Sequence, residues 1–280
     1  MSNKRITAIV FISLAVAIFM FYLNIRVALG MSQPNSNEMS QGWQQACAWL
    51  RTQTPKPSDY YDTQTVPKWG VFSWWDYGYW ITREGQRPAI TNPGSNTRFP
   101  IAHYLVSDNY SDTHDAMVQM NVKYIVIDYL MVTNKYYAIY GMADQYDKGH
   151  WLPTKFQQDY SYWNKDTQMP VMLNYEGYYR SLAVRLFNFN GQPIKSPGTP
   201  VFAVDKDRNI SNLKDFATLD EALAFQKTNG GIIAGSDPFL SPWPINGSLD
   251  SMFKLVFESP SKVKIGNWTY SEVKIFEVVQ

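Results

Sequence analysis

Trp74, Trp75, Asp76, Tyr77 and Gly78 stand side by side, and their types suit one purpose, the gripping of a small polar group from several directions. An indole N–H only donates a hydrogen bond and a carboxylate only accepts one, so this short run holds both halves of a site for a hydroxyl or an amide. The combination is costly for a surface turn. Large amphipathic rings must be partly buried while the carboxylate still requires partners. The apolar stretch 69–73 precedes the run, and Tyr79, Trp80 and Ile81 follow it, which predicts a strand-to-helix junction. A Trp-Trp pair alone would read as an aromatic core corner; the full pentapeptide favours a binding role.

A second cluster lies further along the chain. Residues 123–127 form a β-branched run with the pattern of a buried strand, so Asp128 falls where a helix would begin. Met131, Lys135 and Ile139 then recur at i, i+4 and i+8, the spacing that stacks side chains in one stripe down a helix. A lysine in an apolar stripe has two readings. It marks a functional face, or it snorkels to water while Met131 and Ile139 pack in the core.

Together the two clusters resemble a known family. The run Trp74-Trp75-Asp76-Tyr77-Gly78 resembles the W-W-D-Y-G signature of oligosaccharyltransferase catalytic subunits, most closely the archaeal single-subunit form, and residues 128–139 resemble the Asp/Lys helix motif that accompanies it. The resemblance implies that Trp74, Trp75 and Asp76 hold the hydroxyl of the Ser or Thr in an Asn-X-Ser/Thr acceptor. It also implies that Ile139 touches the Thr methyl, while Asp128, Met131 and Lys135 set the helix that completes the pocket. Tyr77 and Gly78 are expected as scaffold, the ring packing and the glycine permitting a tight turn.

Enzymes of that family transfer an oligosaccharide from a dolichyl carrier to the Asn side-chain amide outside the cytoplasm. The divalent metal they use, Mn or Mg, is held by carboxylates in a multi-span membrane portion upstream of the soluble domain. No Asp-X-Asp loop occurs before residue 30. The expectation is therefore a last membrane helix and a soluble domain, with no catalytic carboxylates and no cofactor in this chain. Its expected partners are an acceptor polypeptide and a separate multi-span membrane protein. An alternative of another class is a membrane-anchored, extracytoplasmic peptide- or glycan-binding protein without transferase activity, its many Tyr and Trp stacking on ligands.

Composition narrows the field. With 280 residues, 45% of them hydrophobic and 16% aromatic, the chain can bury a sizeable core. Its formal charge of +1 and scattered Lys and Arg argue against a nucleic-acid partner. The single Cys47 cannot form an internal disulfide and sits in a helix-like stretch, as a buried apolar residue would. His103, His114 and His150 are isolated from other ligand types, so zinc is unsupported.

Residues 6–23 are almost uninterrupted apolar sequence, close to the roughly twenty residues that cross a bilayer. Lys4 and Arg5 before the stretch favour a cytoplasmic N-terminus, which predicts a single-pass cell-membrane protein with its soluble part outside. A cleaved signal peptide ending near Ala28-Leu29-Gly30 is the competing reading. The sequons at Asn109, Asn209, Asn246 and Asn267 fit an exterior domain.

The expected organisation is an anchor at 1–30, a polar linker at 31–40, a central core at 41–191 and a β-rich C-terminal unit at 192–280. Within the core, residues 43–50 follow a helical period that must end before Pro55, residues 112–120 form a helix, and 175–187 form one final core helix. Residues 141–170 show no clean period. Residues 200–205 read as a strand and 219–227 as a short helix stopped at Gly230-Gly231. Three further strands, 253–258, 262–265 and 272–279, alternate as antiparallel strands around a turn at Gly266-Asn267. The fold class is thus mixed α/β of the α+β kind: a mainly helical core with a small sheet carrying the pentapeptide, and a β-rich end.

Overall fold

The computed structural model describes residues 38–57, 67–146 and 157–280. The chain separates into a short N-terminal unit, Met1–Ser40, and a main unit, Gln41–Gln280, to which everything below refers. The apolar stretch 6–23 lies outside the described residues. Among the described residues no helix is long and apolar enough to cross a membrane.

Helix α1 (Gln41–Gln53) forms because Trp43, Ala46, Cys47 and Leu50 fall on one face, and all four are buried. It stops just short of Pro55, as the period predicts. Cys47 is sunk in this face, and burial, ahead of the charge on Glu84, pushes its thiol up to about 12. The thiol is an apolar packing group, with no thiolate chemistry at neutral pH.

Beneath α1 lies a four-stranded sheet in the order β1 (Gly70–Phe72), β2 (Val122–Asp128), β11 (Val273–Val278), β8 (Phe253–Glu258). β1 and β2 are parallel, so the chain between them must cross over. That crossover carries a 3₁₀ turn at Trp75–Tyr77, α2 (Gly78–Arg83), α3 (Arg98–Val106) and α4 (Tyr110–Gln119). β2 is buried along nearly its whole length, as its β-branched run predicts for a central strand. β11 pairs antiparallel with both neighbours, so the last strand of the chain completes the sheet that carries the pentapeptide. Residues on either side of position 191 thus share one sheet.

A second sheet has the order β4 (Pro170–Asn174), β3 (Gln158–Asn164), β6 (Asn209–Phe216), β5 (Thr199–Val204), β7 (Ile232–Ile233). Its two edges meet at a bridge between Asn174 and Gly235, closed by reciprocal backbone hydrogen bonds of 2.7 and 2.8 Å. The sheet is therefore curled into a small barrel, with Tyr162, Leu173, Ile210 and Ala234 as its core. α9 (Leu219–Asn229) packs on β5, β6 and β7, its start fixed by a capping box between Thr218 and Glu221. The hairpin of β9 (Lys262–Ile265) and β10 (Trp268–Ser271) turns through Gly266-Asn267, with Gly266 at φ +58 in the region a two-residue loop demands.

Several details depart from the sequence pattern. The helix expected over 175–187 is two, α7 (Glu176–Arg180) and α8 (Leu182–Phe189), because Ser181 is extended at ψ 143. The segment 141–170, aperiodic in sequence, extends a helix to Tyr146 and then supplies β3, whose register shifts between Asp159 and Tyr162 and blurs the alternation. α3 and β6 carried no legible signal. In β6 only Ile210, Leu213 and Phe216 are apolar, and the run from Asn212 to Asp215 is exposed.

A buried cation ties α8 to α4 and to the turns at 191–192 and 247. Arg185 on α8 is fully buried and donates from Nη2 to the carbonyls of Gly191, Gln192 and Gly247 and from Nη1 to the Tyr110 hydroxyl. Replacing it by leucine removes these donors from the Gln192 and Gly247 carbonyls, while Gly191 keeps the Leu249 N–H. Arg185→Leu is expected to lower stability by about 3 kcal/mol in urea unfolding.

Candidate functional site

The pentapeptide sits where β1 ends. Ser73 leaves the strand with its hydroxyl donating to the Val126 carbonyl at 2.8 Å, which pins the exit of β1 to β2. Trp74 is extended, and the chain then tightens into the 3₁₀ turn, closed by the Tyr77 N–H on the Trp74 carbonyl at 3.1 Å. α2 begins directly at Gly78. The junction is thus strand, 3₁₀ turn, helix.

Gly78 serves a different purpose from the one expected. Its φ of −56 and ψ of −40 are ordinary helical values, so the turn does not require a glycine. A side chain there would instead strike backbone: its Cβ would lie 2.6 Å from Asn92 Cα and closer still to the Thr91 carbonyl oxygen. The glycine is needed for close approach of the backbone at 91–92.

The helical stripe expected over 128–139 is likewise broken. α5 (Tyr129–Val132) ends after four residues at Thr133, whose φ of −122 and ψ of −101 are not helical, and α6 (Tyr136–Tyr146) starts afresh. At the break the Thr133 hydroxyl donates to the Tyr129 carbonyl at 2.7 Å, and the Lys135 N–H reaches the Leu130 carbonyl at 2.8 Å. Met131, Lys135 and Ile139 therefore take three different places. Met131 is fully buried, its sulfur 3.9 Å from the Ser73 hydroxyl. Lys135 lies in the break and reaches Asp76 at 2.6 Å. Ile139 is fully buried on α6, the helix that packs most closely against α3.

Asp128 does begin a helix. Its Oδ1 accepts from the Met131 N–H at 2.9 Å, capping α5, and its Oδ2 accepts from the Trp43 indole N–H at 2.9 Å. The carboxyl is buried, and that burial raises its pKa; the bond from Trp43 opposes the rise most, with the facing Tyr77, the Met131 N–H and Lys135 acting in the same sense. Trp43 in turn stacks on Tyr77, ring centres 4.3 Å apart, and Trp80 flanks both at 5.6 and 5.4 Å. Lys135 Nζ sits 4.4 Å above the Tyr77 ring. The result is a continuous series from Asp76 through Lys135, Tyr77 and Trp43 to Asp128.

At the outer end of this series the chemistry is exposed. The Asp76 side chain is 30% accessible and that of Lys135 29%. Trp74 is buried, with its ring 5.6 Å from that of Trp75. Trp75 is half-buried, and its indole N–H is enclosed without a hydrogen-bond partner. An enclosed donor lacking an acceptor costs free energy. Trp75 and Asp76 are adjacent and offer one donor and one acceptor, the complement of a hydroxyl. Trp43 and Ser73 are the members that sequence reasoning missed. The signal for Trp43 was available: a buried indole N–H and a buried carboxylate each need a partner, and each is the other's.

No group of three or more His, Cys, Asp or Glu side chains converges as a metal site among the described residues. Asp76 and Asp128, the two carboxylates of the motifs, stand at opposite ends of the series and are each engaged by side chains of the protein, so this donor set does not fit a divalent ion.

Two changes test this arrangement. Gly78→Ala is expected to displace the 91–92 backbone and lower the melting temperature. Asp128→Asn puts an amide beside the Trp43 N–H and is expected to cost about 1–3 kcal/mol in urea unfolding. The pH dependence has a definite sign. Because the folded Asp128 pKa lies above its unfolded value, the folded state holds the proton more tightly. The residue's contribution to stability is then largest in acid and declines as pH rises from about 4 through the raised folded value. The stability gap between wild type and Asp128→Asn should narrow across that window on raising the pH.

Residues 40–133 match the model of the AglB core-like family, described as the AglB core domain. That span holds α1, β1, the pentapeptide and Asp128. Among curated proteins, the chain is 29% identical over 185 residues to dolichyl-phosphooligosaccharide-protein glycotransferase 3 of Archaeoglobus fulgidus, covering 53% of this chain and 21% of that protein. It is 23% identical over 206 residues to dolichyl-monophosphooligosaccharide–protein glycotransferase AglB of Haloferax volcanii, covering 59% of this chain and 18% of the relative. The chain thus spans about a fifth of the length of these relatives. Among solved structures it is similar to the archaeal oligosaccharyltransferase AglB from Archaeoglobus fulgidus in complex with an inhibitory peptide and a dolichol-phosphate. The TM-score is 0.51 at 21% identity, over 99% of this chain and 36% of that one, a likeness of fold.

Proposed function

We propose that this chain, a member of the oligosaccharyltransferase catalytic-subunit family by its AglB core domain, recognises the Asn-X-Ser/Thr acceptor in protein N-glycosylation. The observation that carries the reading is the pairing of an enclosed, unpartnered Trp75 N–H with a half-exposed Asp76 carboxylate fixed by Lys135 at 2.6 Å. The Ser or Thr hydroxyl accepts from Trp75 and donates to Asp76. Lys135 holds the carboxylate in place from the other side, and Trp74 backs the Trp75 ring. A glycotransferase relative supports this reading, as does a structural neighbour that holds a peptide.

Transfer from a dolichyl-linked donor to the Asn amide requires carboxylates and a divalent metal, Mn or Mg, that a separate multi-span membrane portion would supply. Residues 6–23 would anchor the chain beside that portion, with Gln41–Gln280 extracytoplasmic. The whole reaction then belongs to an assembly of which this chain is the acceptor-reading part.

The Thr methyl is the one feature of the acceptor for which the pocket has no exposed partner in Ile139, whose side chain is covered. We assign Ile139 to the support of α6. A contact with the methyl would require α6 to shift.

The test uses matched Asn-X-Ser and Asn-X-Thr peptides, by affinity or by transfer in native membranes. Asp76→Ala and Trp75→Phe are each expected to weaken both peptides by a similar factor, on the order of 1–2 kcal/mol, because both supply the hydroxyl. An effect confined to one peptide, or none in either variant with folding intact, would falsify the assignment. Ile139→Ala is expected to cost about 2–4 kcal/mol of stability and leave the Thr-to-Ser ratio unchanged. A narrowed ratio would return Ile139 to the pocket.

A further inference from the structure

We propose that the mouth of the five-stranded barrel is a second binding site, for a neutral saccharide of two or three rings. A cavity of about 750 Å³ opens there, within the size range of small-molecule sites, and barrel mouths are a recurrent place for them. Tyr162, Tyr175 and Ile232 belong both to its wall and to the barrel core or the residues packed on it, so the cavity is the open end of the barrel itself. It shares no lining residue with the pentapeptide or with residues 128–139.

The chemistry of the rim selects the ligand. Three carboxylates, Asp108, Asp159 and Glu176, face two guanidiniums, Arg180 and Arg208. Arg208 pairs with Asp159 at 2.9 Å and Arg180 with Glu176 at 2.7 Å. Both cations are thus already neutralised, and the rim as a whole is slightly negative. A phosphate or carboxylate ligand would meet no excess positive charge. The lining instead combines donors and acceptors with apolar and aromatic residues that include Ile233 and Trp243. That is the complement of a sugar ring, which carries hydroxyls around its edge and apolar C–H groups on its faces.

Arg208 shows that the rim is built. Its φ of +62 places a non-glycine residue in the left-handed region, which carries a conformational cost. Asp205 holds the turn in that state, accepting from the N–H groups of Asp207 and Asn209 at 2.9 Å each. The conformation delivers the guanidinium onto the Tyr162 ring at 4.5 Å and onto Asp159. The opposite lip is α9, from which Leu223 and Gln226 line the opening.

Saturation-transfer NMR on the full chain, with mannotriose, maltotriose and cellotriose as probes, tests the site. At least one trisaccharide should bind saturably, while inorganic phosphate should neither bind nor compete. Leu223→Trp fills the opening from an exposed helix position and should weaken binding by about tenfold or more without loss of fold; Arg208→Ala should weaken it in the same sense. No saturable binding by any of the three sugars would overturn the proposal, as would binding that both variants leave unchanged. So would displacement of a bound sugar by phosphate, or binding of a short lysine- and leucine-containing peptide at the same residues in preference to every sugar. The acceptor reading rests on Trp75 and Asp76 and stands or falls on its own peptides.

Discussion

One buried carboxylate organises the region on which the functional reading depends. Asp128 ends the central strand of the main sheet inside the protein, where an unpaired charge is expensive. It is retained because two donors arrive from different parts of the chain: the Met131 N–H from the next turn and the Trp43 indole from α1. Satisfying Asp128 therefore fixes where α5 starts and where α1 lies. With Trp43 fixed, Tyr77 is fixed by stacking on it, and Lys135 by lying over Tyr77. The exposed Asp76 is the last member positioned. Rigidity at the surface is inherited from a requirement in the core.

The same logic shows what was legible in the sequence. The pentapeptide, β2 and the capping role of Asp128 could be read because each leaves a local signal: aromatic and acidic neighbours, a β-branched run, an acid at its end. The i, i+4, i+8 spacing of Met131, Lys135 and Ile139 misled, since spacing alone cannot reveal that the backbone leaves helical geometry at Thr133. The Gly78 requirement was invisible for another reason. It depends on the backbone of residues 91 and 92, and nothing in a local window announces a neighbour brought there by the fold.

The barrel was the least legible part. β5 could be read, but β3 has a register shift and β6 carries exposed polar residues, so neither of these two shows a clean alternation. Closure depends on a single pair, Asn174 with Gly235, which no pattern marks. Gly235 is nonetheless constrained: a side chain there would run into the Tyr179 ring, whose hydroxyl donates to the Asp237 carbonyl at 2.6 Å. The turn-rich sequence after β7 is thus held against α7 and cannot drift from the barrel edge.

The Asp76–Lys135 pair illustrates why position matters more than strength here. Both side chains are nearly a third exposed, so solvent screening leaves the pair worth at most about 1 kcal/mol to stability. Its value lies in the geometry it imposes. A free aspartate on a surface turn samples several rotamers, and a ligand that needs one of them must offset the loss of the rest. Lys135, itself held over the Tyr77 ring, removes that freedom before any ligand arrives. The neighbouring Trp75 N–H is enclosed by the fold. A carboxylate held in one rotamer in this way has met its ordering cost within the fold, so even a hydrogen bond of about 1 kcal/mol in net terms to it is not spent on fixing the side chain.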